Sequence, residues 1–199
     1  MEVRFEGRDA IILRPETELD RFVKEFVSIL EESGIGYVLV SGYVAILFGR
    51  SRNSEDVDIL VENVDFGRFE RFWKKACKSM DCINAENPKR GFEDYLSDSL
   101  ALRFSRKSKP IPNMEIKFAK TELDEWTIAN AANATLNGYV LKVSPLELQI
   151  PYKLYLGSFK DIEDARHLWL VTKSHLDNQM LDSFIGQLGV KKEAAKWLS

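Results

Sequence analysis

Cysteine is scarce in this chain, with only Cys77 and Cys82 among 199 residues. Neither has companions at zinc-ligand spacing, so both read as reduced, idle or buried thiols rather than a metal site or a disulfide framework. Histidine is equally rare. His167 and His175 both fall late in the sequence without a metal partner at ligand spacing, which reads as structural and argues against a Ser-His-Asp triad. No apolar run approaches the roughly 18 residues that a membrane span needs, and the first residues lack a signal-peptide pattern, so a cytoplasmic protein without membrane contact is expected. A basic excess is missing as well. At a formal net charge of −3, contact with nucleic acid would have to use a local patch. Glutamine is sparse beside abundant Glu and Lys, a weak lean towards a thermophilic source. Repeats and low-complexity stretches are absent.

What is present suits a folded domain. Apolar residues make up 45% and charged residues 30%, enough for a real core and too apolar for disorder. The length fits one domain, or a core with a small appendage. Residues 17–33 carry Phe22, Phe26, Ile29 and Leu30 at helical spacing, with Gly34 at the C-cap position. A short buried strand follows at 37–40, a two-turn helix at 42–48, a polar turn at 49–55 and a second strand at 56–61. Aromatics at helical spacing predict a helix over 66–80. Strands are expected at 100–104 and 114–118 around a loop whose prolines oppose helix. Asn137-Gly138 predicts a hairpin with arms 131–136 and 139–143. From Pro145 onward the pattern is helical, over 146–156, 161–171, 176–188 and 191–198. The expected division is therefore a core of residues 1–143 and a helical C-terminal region of 144–199.

The most informative stretch runs from Val38 to Val61. An apolar run ends in Ser41-Gly42, and after a spacer Asp56 and Asp58 sit one residue apart inside a second apolar run. Side chains alternate along a strand, so the two acids share a side while Val57 and Ile59 point to the core. Like charges held together are kept mainly by a cation between them, and Mg²⁺ takes such oxygen ligands beside phosphates. A third acid on a neighbouring strand would complete a two-metal site. Glu115 is the best candidate, because Met114, Ile116 and Phe118 alternate with it. The competing reading is a solvated acidic surface.

Strand, small pair at a helix head, spacer, then Asp-apolar-Asp-apolar resembles the nucleotidyltransferase superfamily related to DNA polymerase beta. Arg52-x-Ser54-x-Asp56-Val57-Asp58 is similar to the branch of AbiEii-type toxins from abortive-infection and toxin–antitoxin systems. So is Ser144-Pro145-Leu146-Glu147-x-x-x-Pro151-Tyr152-Lys153-Leu154, followed by Lys160-Asp161-Ile162-Glu163-Asp164. The resemblance spans residues 37 to 168. It implies an α/β (α+β) nucleotidyltransferase core, with a mixed sheet flanked by helices, and a C-terminal helical region. It further implies transfer of a nucleoside monophosphate from an NTP such as ATP to a hydroxyl acceptor. Two Mg²⁺ ions would be held by Asp56, Asp58 and Glu115, with Lys153 directed at the catalytic cleft. Ser41 and Gly42 would meet the triphosphate; the family commonly has Gly-Gly or Gly-Ser there. Plausible partners are a tRNA, protein or small-molecule acceptor, and an antitoxin. A nucleotide-binding module without turnover, or a purely interaction-based role, stays open.

The remaining candidates divide between function and framework. Arg52 either pairs with the acids or touches phosphate, and Ser54 either binds or braces the turn. Lys153 is otherwise an exposed helix lysine. Asp161 and Asp164, beside Lys160, suit a helix start whatever else they do. The basic stretch 103–109 either guides RNA or forms a solvated hairpin tip. The four tryptophans read as packing residues.

Overall fold

The computed structural model describes residues 1–198. In chain order the first elements are β1 (Glu2–Glu6), β2 (Asp9–Leu13), α1 (Glu18–Glu32), β3 (Tyr37–Leu39), α2 (Gly42–Leu47) and β4 (Asp56–Val61). Next come α3 (Phe66–Ala76), β5 (Met80–Cys82), α4 (Pro88–Arg90) and a π-helical turn at Gly91–Leu96. They lead to β6 (Leu102–Arg106), β7 (Lys109–Phe118), α5 (Glu122–Ala129), β8 (Ala132–Leu136) and β9 (Tyr139–Val143). The chain finishes with α6 (Leu146–Leu156), α7 (Phe159–Thr172), α8 (Asn178–Gln187) and α9 (Lys191–Trp197). This is a mixed α/β architecture. No helix among the described residues is long and apolar enough to cross a membrane.

The elements gather into two compact units, each assembled from separate parts of the chain. The first comprises Met1–Arg14, Val40–Arg52 and everything from Ala131 onward. Its strands run β1-β2-β8-β9, with β2 and β8 parallel and the other neighbours antiparallel. The hairpin at Asn137-Gly138 forms as the sequence predicts, because both residues take the positive φ that such a turn requires. The N-terminal hairpin β1–β2 was not legible: its strands are short and half exposed, and only Gly7 marks the turn.

The second unit comprises Pro15–Leu39 and Asn53–Asn130. Its strands run β3-β4-β7-β6-β5, with β4 and β7 parallel. One sheet face is sealed by α1 and α3. Phe22, Phe26, Phe69 and Phe72 from the helices are buried with Val57, Ile59, Phe104, Met114 and Ile116 from the strands. Thr17 and Asp20 form a reciprocal capping box that starts α1. Helix α3 stops at Ala76, four residues before the predicted end, because Met80 turns into the edge strand β5. The expected loop before residue 114 is instead mostly strand. Pro110 and Pro112 lie where the β6–β7 register slips from Arg106↔Lys109 to Ser105↔Asn113, so neither has to supply a ladder N–H.

Candidate functional site

The alternation that buries Val57, Ile59, Met114 and Ile116 against α1 and α3 turns their neighbours to the other face of the sheet in the second unit. Asp56 and Asp58 on β4 share that side with Asn113, Glu115 and Lys117 on β7. The parallel ladder sets Asp56 opposite Asn113 and Asp58 opposite Glu115. Neighbouring strands lie about 4.8 Å apart, so the paired carboxylates are within reach of one ion. Asn113 braces the start of β4: its backbone N–H and its Nδ2 both donate to the Glu55 carbonyl, at 2.9 and 3.1 Å. The Ser54 hydroxyl makes a long contact of 3.5 Å with Asp56 Oδ1.

Two cations that sequence reasoning did not associate with the acids complete this face. Arg103, directly opposite Glu115 on β6, places Nη2 2.6 Å from Glu115 Oε1. Lys117 Nζ stands 3.9 Å from Glu115 Oε2 and 4.0 Å from Asp58 Oδ1. Glu115 is thus engaged by basic side chains, and no three Asp, Glu, His or Cys side chains among the described residues are gathered closely enough to hold a metal ion. The donor set nevertheless suits a hard divalent cation. All three acids offer oxygen from one sheet face, and the buried Asn113 Oδ1 accepts no hydrogen bond. Turning Glu115 off Arg103 is the adjustment that such an ion requires. The i,i+2 spacing of Glu115 and Lys117 was the signal available in the sequence.

On the first unit a separate polar cluster surrounds Ser41. This residue adopts φ 61° and ψ −130° just before α2, a region that L side chains rarely occupy. The Gln149 carboxamide accepts from the Ser41 N–H at 3.3 Å and donates to the Ser41 carbonyl at 3.1 Å. One turn further along α6, Lys153 Nζ donates to Ser41 Oγ at 3.4 Å. Lys153 is only 2% exposed, which removes the reading of an exposed helix lysine. It donates to Asp161 Oδ1 at 2.6 Å and stands 3.2 Å from Asp164 Oδ2. Asp164, fully buried, also accepts from Arg50 Nε at 2.7 Å and from Arg52 Nη1.

Arg52 therefore has a partner that the sequence did not suggest: its charge goes to Asp164. A Cβ on Gly42 would stand 2.9 Å from Arg52 Nη2, so the guanidinium packs on the bare glycine. Asp164 is also corrected, for it lies beyond the first turn of α7 and organises three cations rather than serving the helix dipole. Asp161 does occupy that first turn, where the Ser158 hydroxyl caps its N–H. Burial pushes the Asp161 carboxyl up, but hydrogen bonds from Lys153 and Ser158 outweigh it and hold the group below the usual aspartate range. Burial raises the Cys77 and Cys82 thiols, in keeping with idle cysteines. The histidines serve packing: His175 stacks on Phe5 at 4.4 Å and His167 Nε2 lies 3.0 Å from the Phe48 carbonyl.

No protein-family model matches the sequence, and no curated protein matches it. Solved structures do resemble it. An antigenic nucleotidyltransferase-like protein from Paracoccidioides brasiliensis has a TM-score of 0.57 at 18% identity, covering 91% of this chain and 92% of its own. The antibiotic-resistance factor ANT(2'')-Ia, in complex with adenylyl-2''-tobramycin, gives 0.54 at 14% identity, covering 88% and 99%. The lincosamide antibiotic adenylyltransferase LnuA, bound to lincomycin, gives 0.50 at 14% identity, covering 82% and 100%. At such identities the likeness is one of architecture, and the architecture of this chain is the nucleotidyltransferase fold.

Proposed function

We propose that this chain is a nucleotidyltransferase that moves a nucleoside monophosphate from an NTP to a hydroxyl acceptor. The observation that carries the reading is the ladder pairing of Asp58 with Glu115, with Asp56 two residues earlier on the same face. Asp56, Asp58 and Glu115 would hold Mg²⁺, and the ion would supply charge neutralisation at the phosphates and a more acidic acceptor hydroxyl. Glu115 would accept the hydroxyl proton. Ser41 and Gly42 would offer the small turn that meets phosphate oxygens, and Arg52 and Ser54 would contribute to the nucleotide-binding set. Lys153, held by Asp161 and Asp164, supplies a fixed positive charge for the developing charge on phosphate. Transfer is then in-line attack at the α-phosphorus, the bond to pyrophosphate breaking as the acceptor oxygen bonds, so positioning and electrostatics carry the catalysis.

The AbiEii-like motifs favour tRNA as the acceptor in a toxin–antitoxin setting. The names of the structural neighbours ANT(2'')-Ia and LnuA favour a small hydroxylated antibiotic instead. One experiment separates the possibilities. The protein is incubated with each α-labelled NTP, Mg²⁺ and either bulk tRNA or a panel of aminoglycosides and lincosamides. Label transfer that disappears in Asp56→Asn and Asp58→Asn, with folding intact, supports the reading; no transfer to any acceptor refutes it. The engagement of Glu115 by Arg103 favours a second reading, a nucleotide-binding module without turnover. In that case NTP with Mg²⁺ raises the melting temperature and no label moves.

A further inference from the structure

We propose that Gln149 is a positioning residue whose buried carboxamide holds Ser41 in the backbone conformation that the nucleotide-binding turn needs. Ser41 sits at φ 61°, ψ −130°, which glycine reaches freely and serine does not. Something outside the turn must maintain it. Gln149 Oε1 takes the Ser41 N–H and Gln149 Nε2 donates to the Ser41 carbonyl, so one side chain grips both polar groups that flank the Ser41 Cα. Those two bonds oppose rotation about φ and ψ together. Were Ser41 to relax to an ordinary conformation, both groups would swing away and leave the amide atoms of a side chain only 3% exposed without these partners. Lys153, at i+4 on the same helix face, adds a third hold through Ser41 Oγ.

Helix α2 begins at the next residue, so the Ser41 dihedrals set the direction in which its first turn departs. The same grip explains how a serine stands where glycine is the natural occupant: Gln149 makes good the conformational preference that the side chain lacks. The functional half of this inference rests on the nucleotidyltransferase reading; the structural half does not.

The test is a double-mutant cycle of wild type, Gln149→Met, Ser41→Gly and the two combined. It is read by NTP KM against kcat and by urea midpoint without ligand. Gln149→Met should raise KM on the order of tenfold with kcat nearly kept, and should cost about twofold or less in the Ser41→Gly background, where the conformation carries no side-chain strain to be held against. Equal losses in both backgrounds, or no loss in either, would overturn the proposal. If Gln149→Met fails to fold, Gln149→Asn replaces it, since it keeps a neutral amide but is one methylene too short to hold both Ser41 backbone groups. If wild type turns over no NTP, the catalytic reading fails alone. The urea midpoints then decide: non-additivity between positions 41 and 149 supports the grip, and additivity overturns it.

Discussion

Asp58 and Glu115 face one another across the parallel β4–β7 ladder, with the Lys117 ammonium 4.0 Å from one carboxylate and 3.9 Å from the other. A basic side chain thus stands beside both carboxylates, and Arg103 pairs with Glu115 as well. Cations that neutralise the acids compete with a metal for them. Arg103 is half exposed, so its pair with Glu115 contributes little, up to about 1 kcal/mol. Arg103→Met should therefore tighten Mn²⁺ binding, by up to about fivefold. Titration followed by electron paramagnetic resonance reads the change without any turnover. Unchanged affinity would remove Glu115 from the proposed ligand set.

Asp164 gathers three cations in the first unit. It is fully buried and receives Arg50, Arg52 and Lys153, the last two themselves largely buried. Removing one partner of a buried ionic network leaves the others uncompensated. Asp164→Ala should destabilise the fold by about 3–5 kcal/mol, read as a lower urea midpoint with an unchanged slope. Asp164→Asn, which keeps the shape and some hydrogen bonding, should cost less. Equal stability of wild type and Asp164→Ala would mean that the three cations find other partners.

How much of this was legible in the sequence depended on whether the signal was local. The strand β4, the helix α1 with its cap, the Asn137-Gly138 hairpin and the bounds of α6 all follow from periodicity and turn chemistry within a few residues. The shared face of Asp56, Asp58 and Glu115 was also readable, because alternation fixes a side chain's side before its neighbours are known. The partners were not. Arg103 meets Glu115 only through the β6–β7 register, and Arg52 meets Asp164 across more than a hundred residues of chain. Gln149 gives no signal of its own within the sequence of α6. Its meaning came from the dihedrals of Ser41, which no spacing rule encodes. The short strands β1, β2 and β5 were missed for a plainer reason: three to five residues, partly exposed, carry too little signal to stand out.

Phe104 is the centre of an aromatic cluster in the second unit. Its ring lies 5.8 Å from Phe26, 5.5 Å from Phe72 and 5.4 Å from Trp73, tilted or edge-on in each case. It also stands one residue from Arg103, on the opposite face of β6, so the core that it packs supports the strand that bears the basic partner of Glu115. Phe104→Ala should cost about 3–5 kcal/mol through lost burial and the cavity left behind. A melting temperature lower on the order of 10 °C is the expected readout. A drop of a degree or two would mean that the surrounding rings close the space.

Acid should loosen the fold through two carboxylates in the first unit. Asp9 is burdened by burial, but the Asn133 side chain and backbone N–H hold its carboxyl below the usual value of 3.8. Asp161 is held low in the same sense by Lys153 and Ser158, against its burial. A carboxyl whose folded pKa lies below its unfolded one contributes stability that is complete above the unfolded value and is lost as pH falls through the folded one. For both groups the loss therefore begins near the ordinary aspartate pKa and continues below it. Denaturant midpoints measured from about pH 6 downward should be level at first and fall once the pH drops below about 4. Asp161→Asn and Asp9→Asn should each make that fall shallower while lowering the plateau. A variant that keeps the full acid slope would show that its carboxyl titrates alike in the folded and unfolded chain, and that the acid sensitivity resides elsewhere.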